Sequence, residues 1–270
     1  MIYAVTNQKG GVGKTTTSVN LAAALAATRR EVLLVDLDPQ GNTTMGSGVD
    51  KGELEWSVYD VLMEPGCISE ALINVESAGY HLLGSNVELT GAELELFELP
   101  EREYRLRQAL HGLGNRFDYV VIDCPPSLSL LTINGLVAAD GVIIPMQCEY
   151  YALEGLTALV NTIGRITGHL NPGLEIAGII RTMYDPRNSL TRDVSRQLEE
   201  YFGDKVYRTL IPRNIRLAEA PSYGLPAMYY DRASKGAVAY LALAGEVIRR
   251  NEAATAAQPS LMEQESANGE

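Results

Sequence analysis

The sequence predicts an α/β fold, a doubly wound and mostly parallel sheet with helices on both faces. Three observations carry that prediction. Strand-length apolar runs alternate with longer helical patterns along most of the chain, as in consecutive βαβ units. Two of those runs, Glu31 to Leu37 and Phe117 to Asp123, are almost continuously apolar, as strands buried on both faces are. The first run, Ile2 to Val5, passes through a glycine-rich turn straight into the helical pattern Thr17 to Ala27.

Past the second strand the pattern loosens. Between Gly41 and Pro100 it offers only short helical and strand-like pieces, such as Ser57 to Met63, Tyr80 to Leu83 and Glu88 to Leu99. Glu101 to Leu113 reads as an amphipathic helix leading into the Phe117 strand, and Pro125 and Pro126 break the chain just after it. Strand and helix then take turns: a helix from about Ser129, strand Gly141 to Met146, helix Leu153 to Ile166, strand Leu174 to Met183, helix Asn188 to Phe202, and short strand Lys205 to Thr209. Ser234 to Arg250 closes the domain as a helix with apolar spacing Val238, Leu241, Leu243 and Val247. Residues 251–270 hold four acidic residues and no basic one amid Ala, Gln, Ser and Asn, and are expected to be disordered. The expected organisation is one domain over 1–250 and an acidic tail.

Composition fits a single domain: 270 residues, 46% hydrophobic, bury a full core. The net charge of −12 argues against a protein that coats nucleic acid with its whole surface. That charge is uneven. Glu53 to Glu103 contains twelve acidic residues and one basic, whereas Arg181 to Arg216 contains eight basic and five acidic, so a local basic face survives. The acidic stretch is read as a solvated face. Cys67, Cys124 and Cys148 form no Cys-x-x-Cys pair, which excludes a disulfide framework or zinc knuckle from the reading, and Cys124 is read as a small buried residue. With no signal-peptide pattern and no apolar run of membrane-spanning length, the expectation is a soluble cytoplasmic protein.

The turn after the first strand is Asn7-Gln8-Lys9-Gly10-Gly11-Val12-Gly13-Lys14-Thr15-Thr16. Glycines let backbone N–H groups curl around an anion, a helix N-terminus adds partial positive charge, and Lys14 adds a full one. That is a phosphate cradle, with the Thr15 hydroxyl placed for Mg²⁺. The general pattern has glycine where this chain has Gln8, so the match is to a variant centred on Lys-Gly-Gly. The second strand ends in Asp36-Leu37-Asp38-Pro39-Gln40 and the Phe117 strand in Asp123, carboxylates on the sheet edge where open α/β folds bind ligands. Asp123 is placed to orient Mg²⁺ opposite Thr15.

Four segments together, Lys9 to Thr16, Val35 to Asn42, Val121 to Pro126 and Ile211 to Pro221, resemble the ParA/Soj-type partitioning ATPases, with the resemblance spanning about Met1 to Arg250. It implies a P-loop ATPase that binds ATP and Mg²⁺, hydrolyses ATP slowly, and pairs as an ATP-sandwich homodimer. It further implies sequence-independent binding to double-stranded DNA, nucleoid association, and a ParB-type centromere-binding partner that stimulates hydrolysis. Lys9 to Thr16 would hold the phosphates, with Lys9 crossing to the partner subunit's ATP and Lys14 serving its own. Asp38 would orient the attacking water, and Thr15, Asp36 and Asp123 would serve the metal. Pro212 and Asn214 would face the adenine, although Asn214 also suits a helix cap. Arg187 and Arg216 match the family's DNA-contacting arginines; Arg213 serves either DNA or the nucleotide. The chain begins at its first strand, which suits the short chromosomal kind.

Three rival readings are weighed against that one. A MinD-type division-site regulator shares the loop but carries a basic amphipathic C-terminal helix for the membrane, whereas this tail is acidic, so no membrane partner is expected. A nitrogenase-iron-protein-like reductase needs cluster cysteines at spacings this chain lacks. A small-molecule kinase or ligase needs an acceptor constellation, and the sequence presents none.

Overall fold

The computed structural model describes residues 1–257. One sheet contains β1 (Ile2–Val5), β2 (Val32–Asp36), β3 (Leu72–Val75), β4 (Tyr80–Leu83), β5 (Tyr119–Asp123), β6 (Gly141–Gln147), β7 (Glu175–Tyr184) and β8 (Val206–Pro212). The helices are α1 (Lys14–Ala26), α2 (Asn42–Gly46), α3 (Val58–Met63), α4 (Leu89–Phe97), α5 (Arg105–Gly112), α6 (Leu130–Ala138), α7 (Ala152–His169), α8 (Ser189–Phe202), α9 (Ile215–Glu219), α10 (Ala227–Tyr230) and α11 (Lys235–Ala257). The strand order is β3-β4-β2-β5-β1-β6-β7-β8, parallel throughout except for the β3–β4 edge pair. This is the predicted doubly wound α/β sheet.

Two cores sandwich the sheet. Along β2, Leu33 and Val35 join the core shared with α5, α6 and α7, whereas Val32 and Leu34 join the core shared with α1 and α11. Side chains alternate faces with a period of two, so a strand covered on both sides must be apolar at every position. β1 lies between β5 and β6, and the crossovers diverge on its two sides. The crevice beyond the C-terminal ends of β1, β2 and β5 is the ligand position of such sheets.

Several elements depart from the sequence reading. α1 begins at Lys14 rather than Thr17, because its polar first turn faces the crevice and carries no apolar signal. β8 continues to Pro212, which registers against Tyr184 of β7. In α11 the buried stripe is Ala237, Tyr240, Leu243, Ala244 and Val247, while Val238 is 54% exposed. The helix packs through small residues against α1 and β8, so alanines fill positions that a list of large apolar residues assigns elsewhere. α11 also runs past Arg250 to Ala257, and Glu252 pairs with Arg30 at 3.2 Å. The remainder of the expected disordered tail, 258–270, lies outside the described residues.

Candidate functional site

The loop from Asn7 to Gly13 joins β1 to α1 at the centre of the crevice. Gly11 (φ 73°) and Gly13 (φ 89°) are left-handed, a conformation that glycine enters without steric cost. Gly13 is the N-cap of α1, and among the described residues no side chain caps that end. The first-turn amides at Lys14, Thr15 and Thr16 are therefore free to meet an anion, and the helix dipole favours one there. Lys9, Gly10 and Gly11 are exposed, whereas Val12 is buried beneath them.

Lys14 is 8% exposed, and its ammonium donates to the Lys9 carbonyl at 3.2 Å, folded back over the loop. Burial lowers its pKa, and the nearby charges of Asp123 and Asp38 oppose that shift. An anion in the loop would give this desolvated cation the partner it lacks in the carbonyl, which is the observation that fits a phosphate group.

Below the loop, Asp123 accepts from the hydroxyls of Thr15 (2.8 Å), Ser18 (2.8 Å) and Thr43 (2.7 Å). Asp36 accepts from the Thr44 amide (2.8 Å) and hydroxyl (2.7 Å) and from the Asp38 amide (3.2 Å). Burial, and then the charge of Asp123, push Asp36 up to about 7; burial also raises Asp123, with the three hydroxyls opposing it. Asp123 thus touches Thr15 and stands in register with Asp36. The donors are all oxygen, which suits a hard cation. Among the described residues no group of three or more His, Cys, Asp or Glu could hold a metal by itself. Such a cation would complete its shell with water and phosphate oxygens, as Mg²⁺ does. Asp38 is half-buried just beyond β2, its carboxylate accepting from the Gln40 amide at 2.9 Å.

The loop rests against the β6–β7 side through contacts the sequence reading misses. Asn7 donates to the Pro145 carbonyl at 2.8 Å, the Lys9 ammonium lies 2.5 Å from Glu149, and the Thr182 hydroxyl donates to the Val12 carbonyl at 2.7 Å. Thr43, Thr44 and Ser18 are likewise unforeseen. The only local signal for them is the Thr-Thr pair following Gly41-Asn42.

Asn214 caps α9, its side-chain oxygen accepting from the Arg216 amide at 3.0 Å, so the capping alternative is realised in this structure. Pro212 ends β8 and precedes the exposed Arg213. Arg187 forms a bidentate pair with Asp185 (2.9 and 2.8 Å), and its side chain is 89% exposed. Hydrogen bonds from Arg187 push Asp185 down to about 2, and Arg213 adds to the effect from nearby. Arg216 pairs with Glu219 (2.7 Å) and Asp231 (3.2 Å). The Tyr184–Pro212 register thus brings Arg187 and Arg213 to adjoining strand ends on the same edge of the sheet as the loop. Burial raises the thiols of Cys124 and Cys148, the latter to about 11.

Known proteins match almost the whole of this chain. The AAA domain family model matches residues 1–176. The sporulation initiation inhibitor protein Soj of Bacillus subtilis is 52% identical over 246 residues, 91% of this chain and 97% of that protein. The chromosome partitioning protein ParA of Caulobacter vibrioides is 50% identical over 251 residues, 92% of this chain and 94% of its own. Among solved structures, a cobyrinic acid a,c-diamide synthase from Mycobacterium smegmatis with a bound ATP analogue and magnesium is 41% identical. It superposes with a TM-score of 0.81, covering 93% of this chain and 95% of its own. A glycine loop under a buried lysine, two carboxylates at neighbouring strand ends and these whole-chain matches lead to one assignment: the chain belongs to the ParA/Soj family of chromosome-partitioning P-loop ATPases.

Proposed function

We propose that this chain is a Mg²⁺-dependent DNA-segregation ATPase that closes into an ATP-sandwich homodimer, binds DNA without sequence preference, and is reset when a ParB-type partner stimulates hydrolysis. The observation that carries the reading is the meeting of Lys14, the α1 amides, Thr15, Asp36 and Asp123 in one crevice. The M. smegmatis relative was solved with an ATP analogue and magnesium, which supports the same ligands here.

In this reading Lys14 and the amides from Gly10 to Thr16 bind the phosphates. Thr15 and, through water, Asp123 would hold Mg²⁺, with Asp36 helping to position that water; when bound, the ion would supply positive charge to the phosphates. Asp38 orients the attacking water, and Lys9 reaches the partner's nucleotide, adding charge where phosphoryl transfer spreads it. Asn214 keeps its side-chain nitrogen for the adenine edge while its oxygen caps α9, and Pro212 lies against the same base. Arg187 and Arg216, with Arg213 beside them, meet phosphates of the duplex. A dimer doubles those contacts, which makes DNA binding depend on ATP, and the protein works on the nucleoid in the cytoplasm. Among the described residues no helix is long and apolar enough to cross a membrane.

The test is ATP turnover measured alone, with duplex DNA, with the cognate partner, and with both. Slow basal turnover rising most with both supports the reading; turnover indifferent to DNA and partner sinks it. The name of the M. smegmatis relative favours a second reading, ATP-dependent amide formation on a small carboxylic acid. Turnover that requires such an acid and an amine donor would select it.

A further inference from the structure

Thr182 sits near the end of β7, far from the phosphate loop in sequence, yet its buried hydroxyl donates to the buried Val12 carbonyl at 2.7 Å. A methyl carbon built on Gly13 would lie 3.9 Å from Cβ and Cγ2 of Thr182, ordinary van der Waals distance.

The geometry of the peptide unit gives this bond a consequence. The Val12 carbonyl and the Gly13 amide belong to one planar trans unit, so they point in opposite directions. Holding the carbonyl against β7 aims the Gly13 N–H away from the strand, towards the hollow of the loop. Gly13, left-handed at φ 89°, gives the unit freedom on one side, and the Thr182 hydroxyl anchors its carbonyl on the other. The same strand end carries a second feature. Immediately after Thr182 the chain passes through Met183, left-handed at φ 49°, and then into the turn where Asp185 grips Arg187.

We propose that Thr182 is a positioning residue of the phosphate site: it aims the Gly13 amide and ties the loop's occupancy to the Asp185–Arg187 turn. The proposal rests on the nucleotide reading of the loop. It places the link on β7 rather than on the carboxylate-bearing strands β2 and β5.

Hydrogen exchange of the full chain with and without ADP tests it, since ADP in this reading fills the loop without closing a dimer. In the wild type, ADP should slow exchange both in residues 9–16 and in residues 183–190, the latter by about fivefold or more if the coupling is of ordinary allosteric size. Thr182→Val removes the donor and keeps the shape, so at saturating ADP the loop should still be protected while the turn no longer responds. Thr182→Ser should restore the response. Thr182→Cys, a weaker donor, should fall between them, and the Ser–Cys comparison decides the matter if the valine variant does not fold. A turn that still responds in Thr182→Val, or a wild-type turn that does not respond while its loop is protected, would overturn the proposal alone. A wild-type loop that ADP leaves unprotected would overturn the nucleotide reading and this proposal with it.

Discussion

Asp36 and Asp123 are direct register partners at the ends of β2 and β5, so two buried carboxylates stand side by side beneath the phosphate loop. Hydroxyls and amides satisfy them, and like charges held this close disfavour joint ionisation. Asp36→Asn should therefore relieve that repulsion and raise the melting temperature of the ligand-free chain at pH 8. The same change should lower ATP turnover by about 10- to 100-fold, the usual cost of losing an outer-shell metal partner. Thermal melts and a phosphate-release assay check the two halves. A destabilised variant with full turnover would remove Asp36 from the site.

The Lys9–Glu149 pair sets a limit on the proposed dimer. Both side chains are about half exposed (47% and 52%), and the ammonium cannot stay 2.5 Å from Glu149 while reaching a partner's nucleotide. An exposed pair is worth at most about fivefold in an equilibrium constant. Glu149→Gln should thus raise ATP-dependent dimerisation by up to that factor per subunit, and Lys9→Ala should leave an ATP-bound monomer. Light scattering of both variants with ATP decides. A dimeric Lys9→Ala with normal turnover would end this role for Lys9.

Arg187 and Arg216 are held by carboxylates that a phosphate can replace, because exposed ion pairs are weak and screened. Arg187→Glu and Arg216→Glu should each abolish ATP-dependent duplex binding while dimerisation persists. Asp185→Asn, which frees Arg187, should tighten it several-fold. Anisotropy of a labelled duplex measures all three, and retained binding in the double glutamate variant would place the DNA face elsewhere.

Glu246 offers a stability prediction remote from the site. Burial alone would raise its pKa, but the amides of Arg208 and Thr209, the Thr209 hydroxyl and Arg250 more than offset this, and the net shift is downward. A carboxylate depressed in the folded state contributes stability above its unfolded pKa and loses it as pH falls through the folded value. Glu246→Gln should therefore lower the melting temperature at pH 7. The gap to wild type should narrow as pH falls below the ordinary glutamate value of 4.5. A gap that is constant with pH would remove the charge from this account.

What could be read from the sequence was local. β1, β2 and β5 were legible because strands feeding two cores are apolar at every position, and Asn188 signalled the start of α8, which it caps. The loop, Asp36 and Asp123 were legible because they adjoin those strands. β3 was not, since an edge strand with a half-exposed pattern carries a weak apolar signal. Nor were Glu149 and Thr182, which meet the loop from 140 and 170 positions away and have no motif of their own. Asn214 shows the converse limit: one side chain can cap a helix and offer a donor to a base, and spacing does not choose between them.

In the proposed cycle, ATP in this crevice turns an acidic chain into a DNA-binding one. Duplex binding measured in parallel with ATPγS and with ADP, across a salt series and with unrelated sequences, tests it most directly. Tight binding with ATPγS only, indifferent to sequence and falling steeply with salt as phosphate contacts require, is the expected result. Equal affinity with ATPγS and ADP, or binding confined to one sequence, would contradict it.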